Sequence, residues 1–497
     1  MRASSNRVGA AAVTARESIL FPIPFIQCDN RNLTTHQKNM FAHLALVSCV
    51  AMLSLTTKAV PPPLAVNALL ACLGYVATSR MTLAMRPMFI KANLFGIDLN
   101  KPATKRDANG VLIRPLEGPI VPEAMGAIAS MVYLVLMFMF IPCPFLYDYA
   151  EWGATIGGGG WGRIGGAGGD AVGAFPHAHL SKFLCALLAI CCMCFLGFAD
   201  NVLDLRWRDR LWLPLAASLP LLIVYAVDGG GTQIIVPKII EPWFGSVLQL
   251  GMFYYVFMAC LAIFCTNAIN ILAGVNGLEA GQAVVIAATI LVNNLIQVCR
   301  CRDGHLHDNN LFSLYLVLPF FGVGAALMRH NWYPSKVFVG DTFCYFAGMT
   351  FAVAAILGHN SKTLLLFFVP QVFNFLYSIP QLLRVIPCPR HRMPTFMQID
   401  NKVCNSFAEI DPAELGTLGR GSLWLCETFK LARVERLPGQ TLVRISNLTI
   451  INYLLFLTGP VHEQTLCVFL LTLQAVCSAL ALCVRYQLAG LLYDTVR

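Results

Sequence analysis

The chain has 497 residues, 57% of them hydrophobic and only 12% charged, with a mean hydropathy of +0.65. A soluble domain carries about a quarter of its residues charged, so the composition excludes an ordinary soluble fold and specifies an all-α polytopic membrane protein. The net charge of +9 comes without an RNA-binding motif or a solvated basic helix; nucleic acid is excluded as a partner, and membrane anchoring and anionic ligands account for the excess.

In chain order, residues 1–60 read as an N-terminal extension, polar and irregular to residue 40, with an apolar stretch from Phe41 to Leu55 that is short for an extra span. Windows of about 20 apolar residues then predict ten transmembrane helices, at 62–82, 123–146, 179–199, 211–227, 247–268, 279–298, 311–328, 338–358, 363–384 and 463–484. Residues 61–392 hold the first nine with the loops that join them. Residues 393–447 form the longest hydrophilic segment after the extension, and the strand-like alternation of TLVRISN predicts a small α/β lobe there. Residues 448–497 carry the last span and the C-terminus. The 19 cysteines are an odd count, and Cys185, Cys191, Cys192 and Cys194 lie inside an apolar run, where they serve as small hydrophobes.

Loops that follow odd-numbered spans share one side of the membrane, and these are the basic ones. They hold Arg86, Lys91, Lys101, Lys105, Arg106 and Arg114, then Arg206, Arg208 and Arg210, then Arg329 and Lys336, then the basic residues after the ninth span. Lysine and arginine mark the cytosolic side. On the other side, GGGGWGRIGGAGGD (157–170) lacks the GK[ST] of a phosphate-binding loop and reads as a flexible linker. Cys299, Cys301, His305 and His307 have the softness and spacing of metal ligands, but they lie across the membrane from the other polar motifs.

The cytosolic side collects five polar elements. FADNVLDL places Asp200 and Asp204 four residues apart, on one face of a continuing helix. They form either a paired acidic site or a helix-end cluster pairing with Arg206, Arg208 and Arg210. In CTNAINILAGVNGLEAGQ (265–282), Asn267, Asn270, Gly274, Asn276 and Gly277 interrupt membrane helix, as backbone lining a cavity does. In NWYPSKVFVGDTFCYFAG (331–348), Asp341 enters an apolar run with no base three or four residues away, as a functional acid or as a helix cap. Asn270 and Asp341 together would make a sparse oxygen site suited to magnesium, which takes its remaining ligands from water and phosphate. IPCPRHRMP (386–394) stiffens Arg390, His391 and Arg392 with prolines, either to hold a diphosphate or to anchor the membrane. FGIDLNK (95–101) and VPEAMG (121–126) supply Leu99 and Glu123.

With these elements assembled, the chain closely resembles the eukaryotic UDP-N-acetylglucosamine:dolichyl-phosphate N-acetylglucosamine-phosphotransferases. The resemblance runs from GYVATSR (74–80) to RYQLAGLLYD (485–494) and is nearly verbatim in CTNAINILAGVNGLEAGQ, NWYPSKVFVGDTFCYFAGMTFAV, PQVFNFLYSIPQLL and IPCPRHR. It implies a ten-span homodimer in the endoplasmic reticulum membrane, its active site facing the cytosol. The implied activity is transfer of GlcNAc-1-phosphate from UDP-GlcNAc to dolichyl phosphate with release of UMP, inhibited by tunicamycin. It also implies that Asn270 and Asp341 hold Mg2+, that Gly274 and Phe338 sandwich the uracil, and that Leu99 and Asn276 lie near the nucleotide. Arg390, His391 and Arg392 would hold the GlcNAc-diphosphate, Glu123 would meet the sugar or diphosphate, and Asp200 would act as base or orienter. The chain departs from the family pattern at Asn201, where a second acid is usual; Asp204 could restore that charge one turn along, and Arg210 stands where lysine is common. The extension, the loop from Lys101 to Glu123 and the Gly-rich loop also exceed that pattern. Two other functions fit parts of the sequence: a bacterial-type prenyl-phosphate phosphosugar transferase, and a nucleotide-sugar transporter. A transporter calls for a midplane site and internal repeats, whereas these motifs gather on one face.

Overall fold

The computed structural model describes residues 62–98, 120–145, 177–203, 205, 209–227, 230–236, 238, 241–300, 304–389, 392–397, 400–436 and 442–488. The N-terminal extension with its apolar stretch and the Gly-rich linker fall outside these residues. Among the described residues, nine helices are long and apolar enough to cross a membrane, or ten if one bent pair is a single span.

Helix α1 covers Pro62–Lys91, α2 Gly126–Phe140, α3 His177–Leu203 and α4 Asp209–Val227. Next come α5 at Met252–Ile271, α6 at Leu278–Arg300, α7 at His305–Asn331 and α8 at Gly340–Leu357. The ninth span is the pair α9, Ser361–Phe367, and α10, Val369–Leu382. Helices α11, Thr417–Thr428, and α12, Ile450–Thr458, precede the last span, α13 at Glu463–Cys483.

Three expected spans differ in detail. The predicted helix 363–384 is broken, its halves bent by 72°, because Pro370 in the first turn of α10 has no N–H to give and crowds the preceding turn. The span expected from residue 247 begins at Met252, since Val247–Gln249 pairs as a strand with Gln233–Ile235. Helix α1 runs past the expected residue 82 to Lys91, which gives it a basic last turn.

The sheets are small. Strands β1, Phe95–Ile97, and β2, Ile120–Pro122, pair antiparallel, as do β3, Gln233–Ile235, and β4, Val247–Gln249. In the segment expected to hold an α/β lobe, β5, Thr395–Met397, pairs with β6, Lys402–Cys404. Beyond it, β7, Phe407–Ile410, β8, Val434–Arg436, and β9, Val443–Ser446, form a sheet in the order β7-β9-β8. Ile386, Ala408, Ile410, Leu415, Cys426 and Ile445 make its apolar core, and TLVRISN supplies β9.

Helix α8 is the centre of the bundle. Every residue from Thr342 to Leu357 is buried, because α2, α3, α5 and α7 all pack on it. Association between membrane helices depends on close van der Waals approach rather than on expelling water, and small residues permit it here. A Cβ on Gly348 would lie 2.4 Å from the Cys265 carbonyl oxygen and 2.4 Å from Thr266 Cα of α5. Polar side chains add directional contacts: Gln371 Nε2 of α10 donates to Gln282 Oε1 of α6 and Gln474 Oε1 of α13, each at 2.8 Å. Gly348→Val should therefore overpack the α5–α8 contact. The expected cost is about 3 kcal/mol, read as a lowered thermal midpoint or lost monodispersity in detergent; an unchanged midpoint would contradict this packing.

Candidate active site

The segment before α8 is laid along strand β2. Phe338 N–H donates to the Pro122 carbonyl at 2.8 Å, Met125 N–H to Phe338 at 3.1 Å and Gly126 N–H to Val339 at 2.9 Å. The chain turns into α8 at Gly340, where φ is +68° and a Cβ would meet Ala124 Cα at 2.8 Å and Asn201 Oδ1 at 2.8 Å. Only glycine fits that backbone in that space. Asp341 follows in the first turn, where the helix dipole favours a negative charge.

Asn270 sits at the end of α5, and the loop 272–277 separates it from α6. The break is shorter than the sequence implies, since Asn267 and Asn270 remain helical and only Gly274, Asn276 and Gly277 of that polar set lie in the loop. Its result is a cavity of about 460 Å³ whose lining includes Glu123, Asn270, Gly274, Asn276, Phe338 and Asp341. Six expected residues from three distant segments thus share one space. Asn270 and Asp341 both line this cavity. Burial pushes the Glu123 carboxyl above the usual range.

Asp200 lies behind that wall. Its side chain is fully enclosed, pairing with Arg210 at 3.0 Å and accepting from Tyr345 Oη at 2.9 Å and Leu205 N–H at 3.0 Å. Arg210 also reaches Asp341, at 3.5 Å. The local ion pair and the site candidate are therefore the same arrangement: one guanidinium joins the two carboxylates. Asn201 faces elsewhere. Its Oδ1 accepts from the Thr342 N–H at 3.0 Å and the Thr342 hydroxyl at 2.7 Å, capping α8 from another helix.

Leu99, Asp204, Arg390 and His391 lie outside the described residues, as do Arg206 and Arg208. Arg392 is half-buried with its carbonyl held by Asn452 and Ser406, and its Nη1 is buried without a hydrogen-bond partner. Burial pulls this guanidinium below its usual range. Its neighbours Met393 and Pro394 line the cavity, Met393 lying against Gly274. At the opposite end of the bundle, Cys299 is exposed and His307 pairs with Asp308 at 3.3 Å; Cys301 and the His305 side chain are not among the described groups.

Sequence reasoning missed Asp98, Glu279 and Glu463. Asp98 and Glu279 line the cavity, and Glu463 accepts the Asn276 N–H at 2.8 Å from 187 residues away. Asp98 and Glu279 stand inside motifs already singled out, so their neighbours were a signal. Nothing local marks Glu463, which reads as an acid opening a helix.

Among the described residues, no group of three His, Cys, Asp or Glu is placed to hold a metal. Asn270 and Asp341 do present hard oxygen donors to one cavity, as a magnesium site completed by water and phosphate requires. The donor set fits that ion.

Fold and site define a polytopic membrane protein with a polar cavity among its helices, and comparison places it among the transferases. The glycosyl transferase family 4 model matches residues 183–359, which include Asp200, Asn270 and Asp341. Proteins called "UDP-N-acetylglucosamine--dolichyl-phosphate N-acetylglucosaminephosphotransferase" are similar over most of the chain. That of Schizosaccharomyces pombe is 42% identical across 87% of this chain and 94% of its own length. That of Saccharomyces cerevisiae is 40% identical across 90% and 97%, and that of Dictyostelium discoideum 42% across 80% and 83%. The chain belongs to this family of N-acetylglucosaminephosphotransferases.

Arg210→Met should leave the enclosed Asp200 uncompensated and destabilise the protein by roughly 3 kcal/mol or more, whereas Arg210→Lys should recover much of the loss; thermal unfolding of both variants tests this. Asn201→Asp retains both hydrogen bonds to Thr342 and should keep or raise activity. Asn201→Ala should cost about 1 kcal/mol, the scale of a lost helix cap. Near-complete inactivation by Asn201→Asp would show a role for that amide beyond capping.

Proposed function

We propose that this protein transfers GlcNAc-1-phosphate from UDP-GlcNAc to dolichyl phosphate, yielding GlcNAc-PP-dolichol and UMP, the first step of lipid-linked oligosaccharide synthesis. The observation that carries the reading is the convergence of Glu123, Asn270, Gly274, Asn276, Phe338 and Asp341 on one cavity. Relatives bearing that name along nearly the full chain favour it over a bacterial-type transferase or a transporter.

An oxygen of the lipid phosphate forms a bond to the β-phosphorus of UDP-GlcNAc. The bond from that phosphorus to the bridging oxygen breaks, and its electron pair leaves with UMP. Two anions must meet, so the principal demand is neutralisation and positioning of charge. Asn270 and Asp341 would hold magnesium, which supplies charge neutralisation at the diphosphate when bound. Arg210 sets the position of the Asp341 carboxylate and is itself fixed by Asp200, so Asp200 works as an orienter through Arg210. A phosphate monoester is already partly dianionic near neutral pH, and the reaction needs no strong base. Phe338 and Gly274, which line the cavity, would bound the space for the uracil and Asn276 would lie beside it; a role for Leu99 near the nucleotide rests on the family resemblance. Arg390, His391 and Arg392 would grip the GlcNAc and diphosphate, an assignment that rests on the family resemblance. Glu123 would meet the sugar or diphosphate, and Asp204 would supply the charge that Asn201 lacks. The basic odd-numbered loops favour a cytosolic active site. An endoplasmic reticulum location, a homodimer and tunicamycin sensitivity rest on the family resemblance.

The test is UMP release by purified protein with magnesium, UDP-GlcNAc and dolichyl phosphate. Release should depend on the lipid acceptor, stop on chelation of the metal, and fall at least about 100-fold in Asp341→Ala, a loss typical of a missing electrostatic group in transfer chemistry. No UMP with acceptor present, or full activity in Asp341→Ala, would overturn the proposal.

A further inference from the structure

Carboxylates hold the loop between α5 and α6 from three directions. Glu279 Oε1 accepts the Gly274 N–H at 3.0 Å, Glu463 Oε1 accepts the Asn276 N–H at 2.8 Å, and Asp98 Oδ2 accepts from the Asn276 side-chain amide at 3.1 Å. Asp98, which follows β1, is 4% exposed, Glu463 2% and Asn276 7%. Two acids distant in sequence thus fix both the backbone and the side chain of one asparagine.

The two ends of an asparagine amide differ in hydrogen bonding, one donating and the other accepting. Asn276 meets Asp98 through its NH2 group, which donates to Asp98 Oδ2. The carbonyl Oδ1 is then the part of the amide left for the cavity, which both Asp98 and Asn276 line. The site consequently offers the amide's acceptor at this point, with at most the second N–H of the same NH2 group beside it. Without Asp98, nothing in that pair would dictate which end of the amide faces a ligand.

We propose that Asp98 sets the pyrimidine selectivity of the site by holding the Asn276 carbonyl toward the N3 edge of the base. This rests on the reading that the donor is a uridine diphosphate sugar whose base lies between Gly274 and Phe338. Uracil carries an N–H at N3, which the carbonyl accepts. Cytosine carries a lone pair there, and two acceptors repel. A site built around a hydrogen-bonding group rejects the analogue that cannot satisfy it far more strongly than an apolar pocket rejects a change of size. Asp98 touches no reacting atom; it is a positioning residue acting through Asn276.

The test is calorimetric binding of UMP, CMP and N3-methyl-UMP to the full-length protein in detergent. The wild type should bind UMP at least about ten-fold more tightly than either analogue, a difference of about 1.4 kcal/mol. In Asp98→Asn the partner can donate as well as accept, the Asn276 amide can turn over, and the UMP-to-CMP ratio should narrow about ten-fold. A merely structural role would weaken both nucleotides together and leave the ratio unmoved; that outcome overturns the proposal. Equal binding of UMP and N3-methyl-UMP by the wild type also overturns it, and this arm needs no variant to fold. Failure of the transferase reading would appear separately, as absent UMP release from UDP-GlcNAc.

Discussion

The site depends on one guanidinium held between two carboxylates. Asp200 is wholly enclosed, Asp341 opens the most buried helix of the bundle, and Arg210 touches both, at 3.0 and 3.5 Å. Two carboxylates so placed would repel each other, and the shared guanidinium offsets that repulsion between the enclosed Asp200 and the cavity-lining Asp341. Tyr345 from α8 and the Leu205 N–H complete the hydrogen bonding of Asp200. Because the three groups come from α3, α4 and α8, the ion pairs also fix where those helices end relative to one another.

Helix α8 makes this arrangement exact enough for chemistry. A helix surrounded by protein on every side cannot tilt or slide as one facing lipid can, and its first turn is held by Asn201, by the backbone of β2 and by the turn at Gly340. The role of Asn201 is one that an amide can fill. Capping needs only an acceptor oxygen, and asparagine supplies one. The charge cluster at the end of α3 therefore divides its labour: Asp200 holds the arginine, and Asn201 holds the helix.

The fold was largely legible in the sequence, since length and hydropathy set the number and placement of apolar helices. What escaped that reading was local. The break at Pro370 hides inside an unbroken apolar run, and the start of α5 shifts because Val247–Gln249 finds a strand partner. Within the site, Asn270, Asp341, Gly274, Asn276 and Glu123 were visible as polar residues or glycines at the edges of apolar spans, and Phe338 only through the family resemblance. Glu463 was not, because its partner is the backbone of a loop 187 residues away.

By itself the sequence determined a reading of about ten apolar spans, a gathering of polar motifs in the loops of one parity and a family resemblance, because each of these is carried by local composition or by motifs that stay intact along the chain. Only the tertiary structure decided which groups meet. It made Arg210 the bridge between Asp200 and Asp341, turned Asn201 toward Thr342, and set Asp98 and Glu463 around Asn276. Hydrogen bonds and ion pairs act over about 3 Å, and proximity at that scale between distant segments is a property of packing, not of spacing along the chain.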